Sequence, residues 1–257
     1  MPWLEVHPGN SQRSIAELSL FFRYNRWDYH WMDFINMEKV LFSWSTGKDS
    51  ALALFELRKC EDVEIVGLMT TVTDDYDRVS MHGVRRALLH QQAAALSLPF
   101  REIGITKNAS NDEYEAKMRQ MLAAAQAEGV TSVAFGDIFL EDLRKYREEK
   151  LAEIGMHAIF PLWKRDTHAL ATELIRLGFK SIVTCVDTLA LDHNFCGRVV
   201  DQKFLDDLPE NVDPCGENGE FHTFAYAGPI FLQPIGFTVG EKVLRDDRFY
   251  YCDLIPI

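Results

Sequence analysis

The sequence predicts an α/β fold in which a parallel sheet is covered by helices on both faces, followed by a smaller α+β domain. After Met37, short apolar runs alternate with stretches of helical periodicity, and repeated strand–helix units form parallel sheets of this kind. A polar, glycine-containing turn, residues 45–50, joins the first apolar run to a helical stretch. Residues 224–257 contain short β-like segments, which predict the additional small domain.

The first domain is predicted over residues 37–150. Its strands are predicted at the apolar runs 40–44, 65–72, 102–105 and 132–135. Its helices are predicted at 50–59, 82–96 and 111–128. In the third helix, apolar side chains recur at the spacing of one helix face. They are Tyr114, Met118, Met121, Leu122 and Ala125.

The second domain is predicted over residues 151–257. It begins with a strand entry at 154–162, a helix at 167–177 and a strand at 180–186, and residues 187–222 are rich in loop-forming residues. Residues 1–36 stand apart, because their three tryptophans, Trp3, Trp27 and Trp31, follow no clean period. This segment is either a packed N-terminal extension or a translated leader upstream of a natural start at Met37, and we favour the leader.

Composition excludes several classes of function. The formal net charge is -12, whereas broad binding to nucleic acid needs a basic face. The cysteines number five and form no C-x-x-C pair, which disfavours a disulfide framework, a zinc ribbon and sulfur transfer through paired cysteines. No apolar run reaches the roughly 18 residues of a membrane helix. The N-terminus lacks the pattern of a secretory signal, so we predict a cytoplasmic protein.

The turn at residues 45–50 predicts a phosphate site. It reads Ser-Thr-Gly-Lys-Asp-Ser between a strand and a helix, and the N–H groups of such a loop and helix start favour an anion. Neither a Walker A loop nor a dinucleotide fingerprint fits, because the required glycines are absent. Thr46 is a poor residue for positive φ, so we expect the loop to adopt a conformation that tolerates a side chain there.

Two further segments are predicted at the same edge of the sheet, since ligands bind beyond the C-terminal ends of parallel strands. Asp137 follows a predicted strand directly, and we expect it to contact nucleotide or substrate. Arg144 and Arg147 are either ligands of a phosphate or carboxylate or members of a solvated, salt-bridged helix face. Ser80 and His82 either line an acceptor site or are no more than helix-start residues.

The segment Asp-Pro-Cys-Gly-Glu-Asn-Gly-Glu-Phe-His-Thr, residues 213–223, concentrates reactive side chains. The Asn-Gly pair alone indicates a hairpin, but a turn does not need this many acids. Glu217, Asn218 and Glu220 are candidates to bind an amine, ammonium or a metal, and His222 is a candidate proton carrier. Cys215 is predicted to be a packed cysteine because no base flanks it.

These motifs resemble known families. The loop is similar to the S-G-G-K-D-S loop of PP-loop ATP pyrophosphatases, with Thr46 in place of a glycine. The whole set looks like the diphthine–ammonia ligase family: this loop, the G-D-I-x-x-E-D-x-R-x-Y helix start, Pro-Leu-Trp at 161–163, Gly197-Arg198 with Asp201, and residues 213–223. The resemblance spans residues 38 to about 230 and implies a Rossmann-like PP-loop domain of the adenine nucleotide alpha hydrolase type.

The resemblance also implies a reaction. The family adenylates a carboxylate with ATP, and ammonia then displaces AMP to give an amide. Ser45, Thr46, Gly47, Lys48 and Ser50 would bind the phosphates that leave as pyrophosphate, with Lys48 as an exposed ligand. Asp49 would either cap the helix or hold Mg²⁺.

The acceptor does not follow from the resemblance. The segment 81–85 looks like a bacterial branch of the family, whose acceptor is then another carboxylate, either a small metabolite or a protein. No glutaminase domain is recognisable, so ammonia is expected free or from a partner. Two alternatives remain open: a PP-loop enzyme that modifies RNA, and a nucleotide-binding sensor without turnover.

Overall fold

The computed structural model describes residues 37–257, so the predictions for residues 1–36 lie outside the described residues. The strands of the first sheet are β1 Glu38–Ser43, β2 Val63–Thr73, β3 Arg78–Val79, β4 Phe100–Ile105, β5 Ser132–Ala134 and β6 His157–Ile159. The helices between them are α1 Lys48–Leu57, α2 Arg86–Leu96, α3 Asn111–Ala127 and α4 Glu141–Ala152.

The C-terminal part carries a second sheet. Its strands are β7 Lys180–Asp187, β8 Phe221–Ala227, β9 Phe237–Arg245 and β10 Phe249–Pro256, in the spatial order β8-β7-β10-β9. All of their pairings are antiparallel. Two helices belong to this part, α5 Thr167–Arg176 and α6 Gln202–Asp207. The predicted fold class, a largely parallel sheet followed by a smaller α+β part, is confirmed.

The first sheet is parallel except at one edge. β1 pairs in parallel with both β2 and β5, and β4 and β6 extend the sheet on the two sides. β3 runs antiparallel and pairs with the last two residues of β2, past the point where β1 ends. β3 and the end of β2 therefore lie beyond the C-terminal end of β1, where the 45–50 loop begins.

Two boundaries differ from those predicted. α2 begins at Arg86 rather than at residue 82, because residues 79–84 form a turn in which the Gly83 amide donates to the Val79 carbonyl. Gly83 has a φ of +66°, which residues with a side chain rarely adopt, and a Cβ at this position would collide with the Tyr251 ring. The strand predicted at the start of the second domain is β6, which pairs with β5 in the first sheet. The domain boundary near residue 150 stays a prediction.

One hydrophobic cluster joins the two sheets. Phe42 and Leu54 from the first part and Phe179 and Phe224 from the second are buried in the same cluster. Burial of side chains of this size contributes about 1.5–3 kcal/mol each. The cluster fixes the loop after β1 against β8, and this contact forms the site described next. Among residues 37–257, every helix is too short or too polar to cross a membrane.

Candidate active site

A cavity of about 620 Å³ opens between the strand ends of the first sheet and the loop before β8. Most of the predicted site residues line it: Ser45, Asp49, Ser50, Asp137, Arg147, Glu217, Asn218 and His222. The others, Thr46, Gly47, Lys48, Arg144 and Glu220, do not line it. The structure thus brings together residues from three segments that are distant in sequence, as the sheet-edge argument predicts.

Hydroxyl groups fasten the 45–50 loop to the start of α1. The Ser45 and Ser50 hydroxyls lie 3.0 Å apart, and the Ser50 hydroxyl also donates to the Gly47 carbonyl at 3.0 Å. Gly47 is required by close packing, because a Cβ there would lie 2.9 Å from the His82 ring. The loop is therefore compact and held from the side of the segment 79–82.

Thr46 occupies the conformation that we expected the loop to avoid. Its φ is +74° and its side chain is fully buried. The Thr46 hydroxyl finds no hydrogen-bond partner within the described part of the chain. A left-handed conformation costs a residue with a Cβ about 1–2 kcal/mol, so the expectation was wrong and the surrounding contacts hold Thr46 in a strained state.

Lys48 is buried rather than exposed, which corrects the sequence-based expectation. Its side chain is 2% exposed, and the ammonium group contacts the Asp49 carboxylate at 2.8 Å and the Cys215 carbonyl. Burial alone lowers the pKa of Lys48, but the Asp49 charge and other acidic neighbours outweigh it and raise the pKa. Lys48 is therefore positively charged although it is buried. It does not line the cavity, but its charge is close enough to attract an anion bound there.

Asp49 does not cap α1. Gly47 occupies the N-cap position and no side chain caps the helix. The Asp49 carboxylate instead pairs with Lys48 and keeps 26% of its side-chain surface exposed. It lines the cavity, so a carboxylate oxygen is available to a ligand there.

Asp137 and Arg147, which both line the cavity, form an ion pair. Their nearest side-chain atoms are 2.7 Å apart, and the Arg147 guanidinium lies 4.2 Å from the centre of the Phe135 ring. Burial raises the pKa of Asp137, and the Arg147 charge opposes this rise. Arg144 does not line the cavity. It pairs with Glu148 at 2.7 Å, as in the alternative in which it belongs to a salt-bridged helix face.

Glu217 connects the loop before β8 to the first sheet. One carboxylate oxygen accepts hydrogen bonds from the backbone amides of Ile138, at 2.7 Å, and Phe139, at 3.4 Å. Burial raises the pKa of Glu217 to about 7, and repulsion from Asp49 and Asp137 adds to the shift. Glu217 is therefore a carboxyl group that can exchange a proton near neutral pH.

Glu220, by contrast, fastens its own turn. It accepts hydrogen bonds from the Asn218 side chain at 3.0 Å and the Asp213 amide at 3.1 Å. Its side chain is buried. Cys215 is also buried, which confirms the prediction of a packed cysteine, and burial raises the pKa of its thiol.

Two histidines that line the cavity pack against each other with their rings tilted by 40°. The His82 and His222 rings have centroids 4.8 Å apart, and His82 Nδ1 lies 3.0 Å from the Thr223 carbonyl, to which it donates. Burial, followed by the nearby His82 and Lys48, lowers the pKa of His222 to about 3. His222 is therefore neutral at physiological pH in the free protein, which makes it a weaker candidate for the proton carrier than Glu217.

A second cavity of about 150 Å³ adjoins the first between α3 and α4. Apolar and aromatic side chains such as Leu122, Phe135 and Tyr146 line it, and Met69, Tyr114 and Met118 line both cavities. Sequence reasoning missed these shared residues. Tyr114 and Met118 resembled the core-facing stripe of a helix, and nothing in that periodicity separates a core face from a cavity wall.

Comparisons with known proteins agree with this arrangement. The sequence model for the diphthamide synthase N-terminal domain matches residues 38–158, and that for the diphthamide synthase C-terminal domain matches residues 166–253. The chain belongs to the diphthamide synthase family. Both matched regions contribute residues to the larger cavity.

Several curated relatives in this family are named diphthine–ammonia ligase. The protein from Rattus norvegicus is 26% identical over 229 residues, which cover 78% of this chain and 83% of the relative. The Homo sapiens protein is 27% identical over 208 residues, or 76% of each chain. The Danio rerio protein is 30% identical over 142 residues, covering 53% of this chain and 55% of the relative.

Proposed function

We propose that this diphthamide synthase family member is an ATP-dependent ligase that forms AMP and pyrophosphate while joining ammonia to a carboxylate. The relatives named diphthine–ammonia ligase support this class of reaction. The observation that carries the proposal is the shared cavity: the 45–50 loop, Asp137 and Glu217 line one space. Phosphate binding and proton transfer can then occur next to each other.

We place ATP across the two cavities, with its phosphates at the 45–50 loop. The first amides of a helix have no intrahelical acceptor, and the helix dipole favours an anion at that end. In α1 the Lys48 amide donates to the Thr223 hydroxyl at 3.1 Å, so the amides of Asp49 and Ser50 are the ones that we assign to the phosphates. The Ser45 and Ser50 hydroxyls line the cavity at this point, and the buried Lys48 supplies a positive charge from behind. The adjoining apolar cavity suits the adenine ring, with Tyr114 and Met118 on the wall that both cavities share.

Mg²⁺ would be held by Asp49 together with the phosphates. Mg²⁺ in such sites uses one or two carboxylates plus substrate phosphates, and Asp49 lines the cavity with a partly exposed carboxylate. When bound, the ion stabilises the negative charge that develops on the leaving pyrophosphate. The fixed donors of the loop act on the same charge.

The chemistry proceeds in two steps. A carboxylate oxygen of the acceptor attacks the α-phosphorus, and the bond to the bridging oxygen breaks to release pyrophosphate. Ammonia then attacks the acyl carbon, and AMP leaves with the bonding electron pair. We assign Glu217 to take up the proton that the attacking nitrogen loses, since its pKa of about 7 suits this exchange. Asn218 also lines the cavity, and we assign its side-chain amide to orient the acceptor.

The acceptor side of the cavity is formed by residues 79–82 and the loop before β8. We propose that Ser80 and His82 contact the acceptor. Residues 81–85 resemble a bacterial branch of the family, and on that resemblance we expect the acceptor carboxylate to be one other than diphthine. Fold and family do not identify it, so the assay below begins from an unfractionated mixture.

The test uses ATP labelled in the α-phosphate, with Mg²⁺, ammonium and a small-molecule extract, and separates AMP from ADP. We expect extract-dependent AMP from the wild type. Lys48→Met should form little AMP, whereas Lys145→Met, which removes an exposed lysine of α4, should form as much as the wild type. ATP binding without AMP in every extract would favour the sensor alternative, and AMP formation that depends on added tRNA would favour RNA modification. Either result would overturn the proposed ligase.

A further inference from the structure

Gln92 is a fully buried polar residue of α2 that contacts both sides of the phosphate loop. Its side-chain oxygen accepts a hydrogen bond from the Trp44 indole at 2.8 Å. Its side-chain nitrogen donates to the Thr46 carbonyl at 3.0 Å and to the Ala225 carbonyl at 2.6 Å. One amide therefore joins the end of β1, the loop and β8.

The partners determine the orientation of this amide. The indole N–H of Trp44 can only donate, and the two backbone carbonyls can only accept. The reversed amide would face a donor with its nitrogen and two acceptors with its oxygen, and would lose all of these bonds. A glutamate, methionine or leucine at this position cannot form the same three hydrogen bonds.

The contact with Thr46 bears on the anion site. The Thr46 carbonyl accepts from Gln92 and also from the Ala225 amide at 2.9 Å. Both of its lone pairs are thus directed away from the cavity. A carbonyl oxygen that faced the site would repel a phosphate, whereas the loop amides attract it. Thr46 has the strained positive φ described above. Holding its carbonyl in this orientation therefore has a conformational cost.

We propose that Gln92 is a positioning residue for nucleotide binding. It holds the Thr46 carbonyl against β8 and thereby sets the loop in the conformation that presents its amides to the phosphates. Gln92 does not line the cavity, so it acts only through the loop. The inference rests on the proposed function, because it assumes that the loop binds a nucleotide.

The experiment measures the Kd of ATP by calorimetry for the full chain and the variant Gln92→Met. Methionine keeps the length and approximate volume of the side chain but cannot make the three bonds. We expect binding about tenfold weaker, the effect of losing one well-made hydrogen bond. Gln91→Met, at the adjacent position of the same helix, should bind like the wild type.

A variant that weakens the core separates positioning from simple destabilisation. Leu88→Ala removes a buried side chain of α2 and should lower the melting temperature. Measured well below its melting temperature, it should bind ATP like the wild type. Wild-type affinity in Gln92→Met, or equal weakening in Leu88→Ala, would overturn the positioning role.

A second readout distinguishes this inference from the proposed function. If the wild type binds no ATP, the proposed nucleotide site fails, and the role of Gln92 is then decided by amide hydrogen exchange over residues 44–50. Exchange in that segment should be faster in Gln92→Met than in the wild type or Gln91→Met. Unchanged exchange would overturn the inference independently of any ligand.

Discussion

The Glu217 carboxylate accepts a hydrogen bond from the Ile138 amide across 2.7 Å. The two residues are far apart in sequence, and the bond joins the loop before β8 to the loop after β5. Since both loops line the cavity, the bond sets the distance between the two walls. It also fixes one oxygen of a carboxyl group whose pKa is raised to about 7 by burial.

Glu217→Gln should change the pH dependence of stability. The pKa of Glu217 rises from an ordinary 4.5 to about 7 on folding, so between these values the folded protein binds more protons than the unfolded chain. The stabilisation of the folded protein by proton binding at Glu217 is fully present below pH 4.5 and is lost as the pH rises through 7. Glutamine does not ionise, so the variant is not destabilised in this way. Its free energy of unfolding at pH 8 should exceed that of the wild type by about 1–3 kcal/mol, the upper figure being the whole pKa shift and the lower one allowing for partial exposure.

Urea unfolding at pH 5 and pH 8 measures this difference. Glu210→Gln, which changes an exposed glutamate of the same connecting segment, should keep the wild-type pH dependence. If Glu217→Gln kept the pH dependence of the wild type, the assignment of Glu217 as a buried, readily protonated group would be contradicted.

Thr46→Gly should stabilise the protein by about 1 kcal/mol, because it removes the positive-φ strain and a buried hydroxyl without a partner. The greater freedom of glycine in the unfolded chain offsets part of this gain. Ser97→Gly is the matched comparison: Ser97 has a φ of +53° at the end of α2 but is exposed. It should give a smaller gain in urea unfolding. A destabilised Thr46→Gly would show that packing of the buried Thr46 side chain outweighs the strain.

Asp253→Asn should release the segment that carries His82. Asp253 pairs with Arg78 at 2.8 Å and Arg85 at 2.6 Å, and so ties both ends of this segment to β10. Loss of the two charge-assisted contacts should cost about 1–3 kcal/mol at pH 7. The hydrogen bonds from the arginines lower the pKa of Asp253 to about 2 from 3.8.

The pH profile of the same variant provides the check. The stabilisation by a carboxyl of lowered pKa is present above pH 3.8 and is lost as pH falls through 2. Wild type and variant should therefore converge in stability as acid is added, whereas Asp247→Asn, at an exposed position near β10, should match the wild type throughout. If the difference in free energy of unfolding between wild type and Asp253→Asn did not change with pH, the two ion pairs would not be the source of the stabilisation.

Lys48→Met should lower stability as well as activity. Its side chain is 2% exposed and its ammonium group contacts Asp49 and the Cys215 carbonyl, so the variant leaves a carbonyl and a carboxylate without their donor. We expect a loss of about 1–3 kcal/mol in the free energy of unfolding, measured by urea titration. Lys145→Met should show no loss, and wild-type stability of Lys48→Met would imply that the lysine is free to turn into the cavity.

The sequence alone determined the features that depend on local pattern. Alternating apolar runs and helical periods predicted the parallel sheet, and the order strand, loop, helix predicted where the 45–50 loop would lie. The sheet-edge rule then placed Asp137 beside that loop. These predictions succeeded because neighbouring residues fix strand and helix formation, and because parallel strands end at a common edge.

Only the tertiary structure decided what individual side chains do. Lys48 bonds a carbonyl 167 residues away and Gln92 one 133 residues away, distances over which sequence spacing carries no information. Glu217 and Glu220 belong to the same motif, yet one lines the cavity and the other fastens its turn. Burial and partners, which arise only when β8 packs against the loop, set which groups are charged, which are strained and which face the cavity.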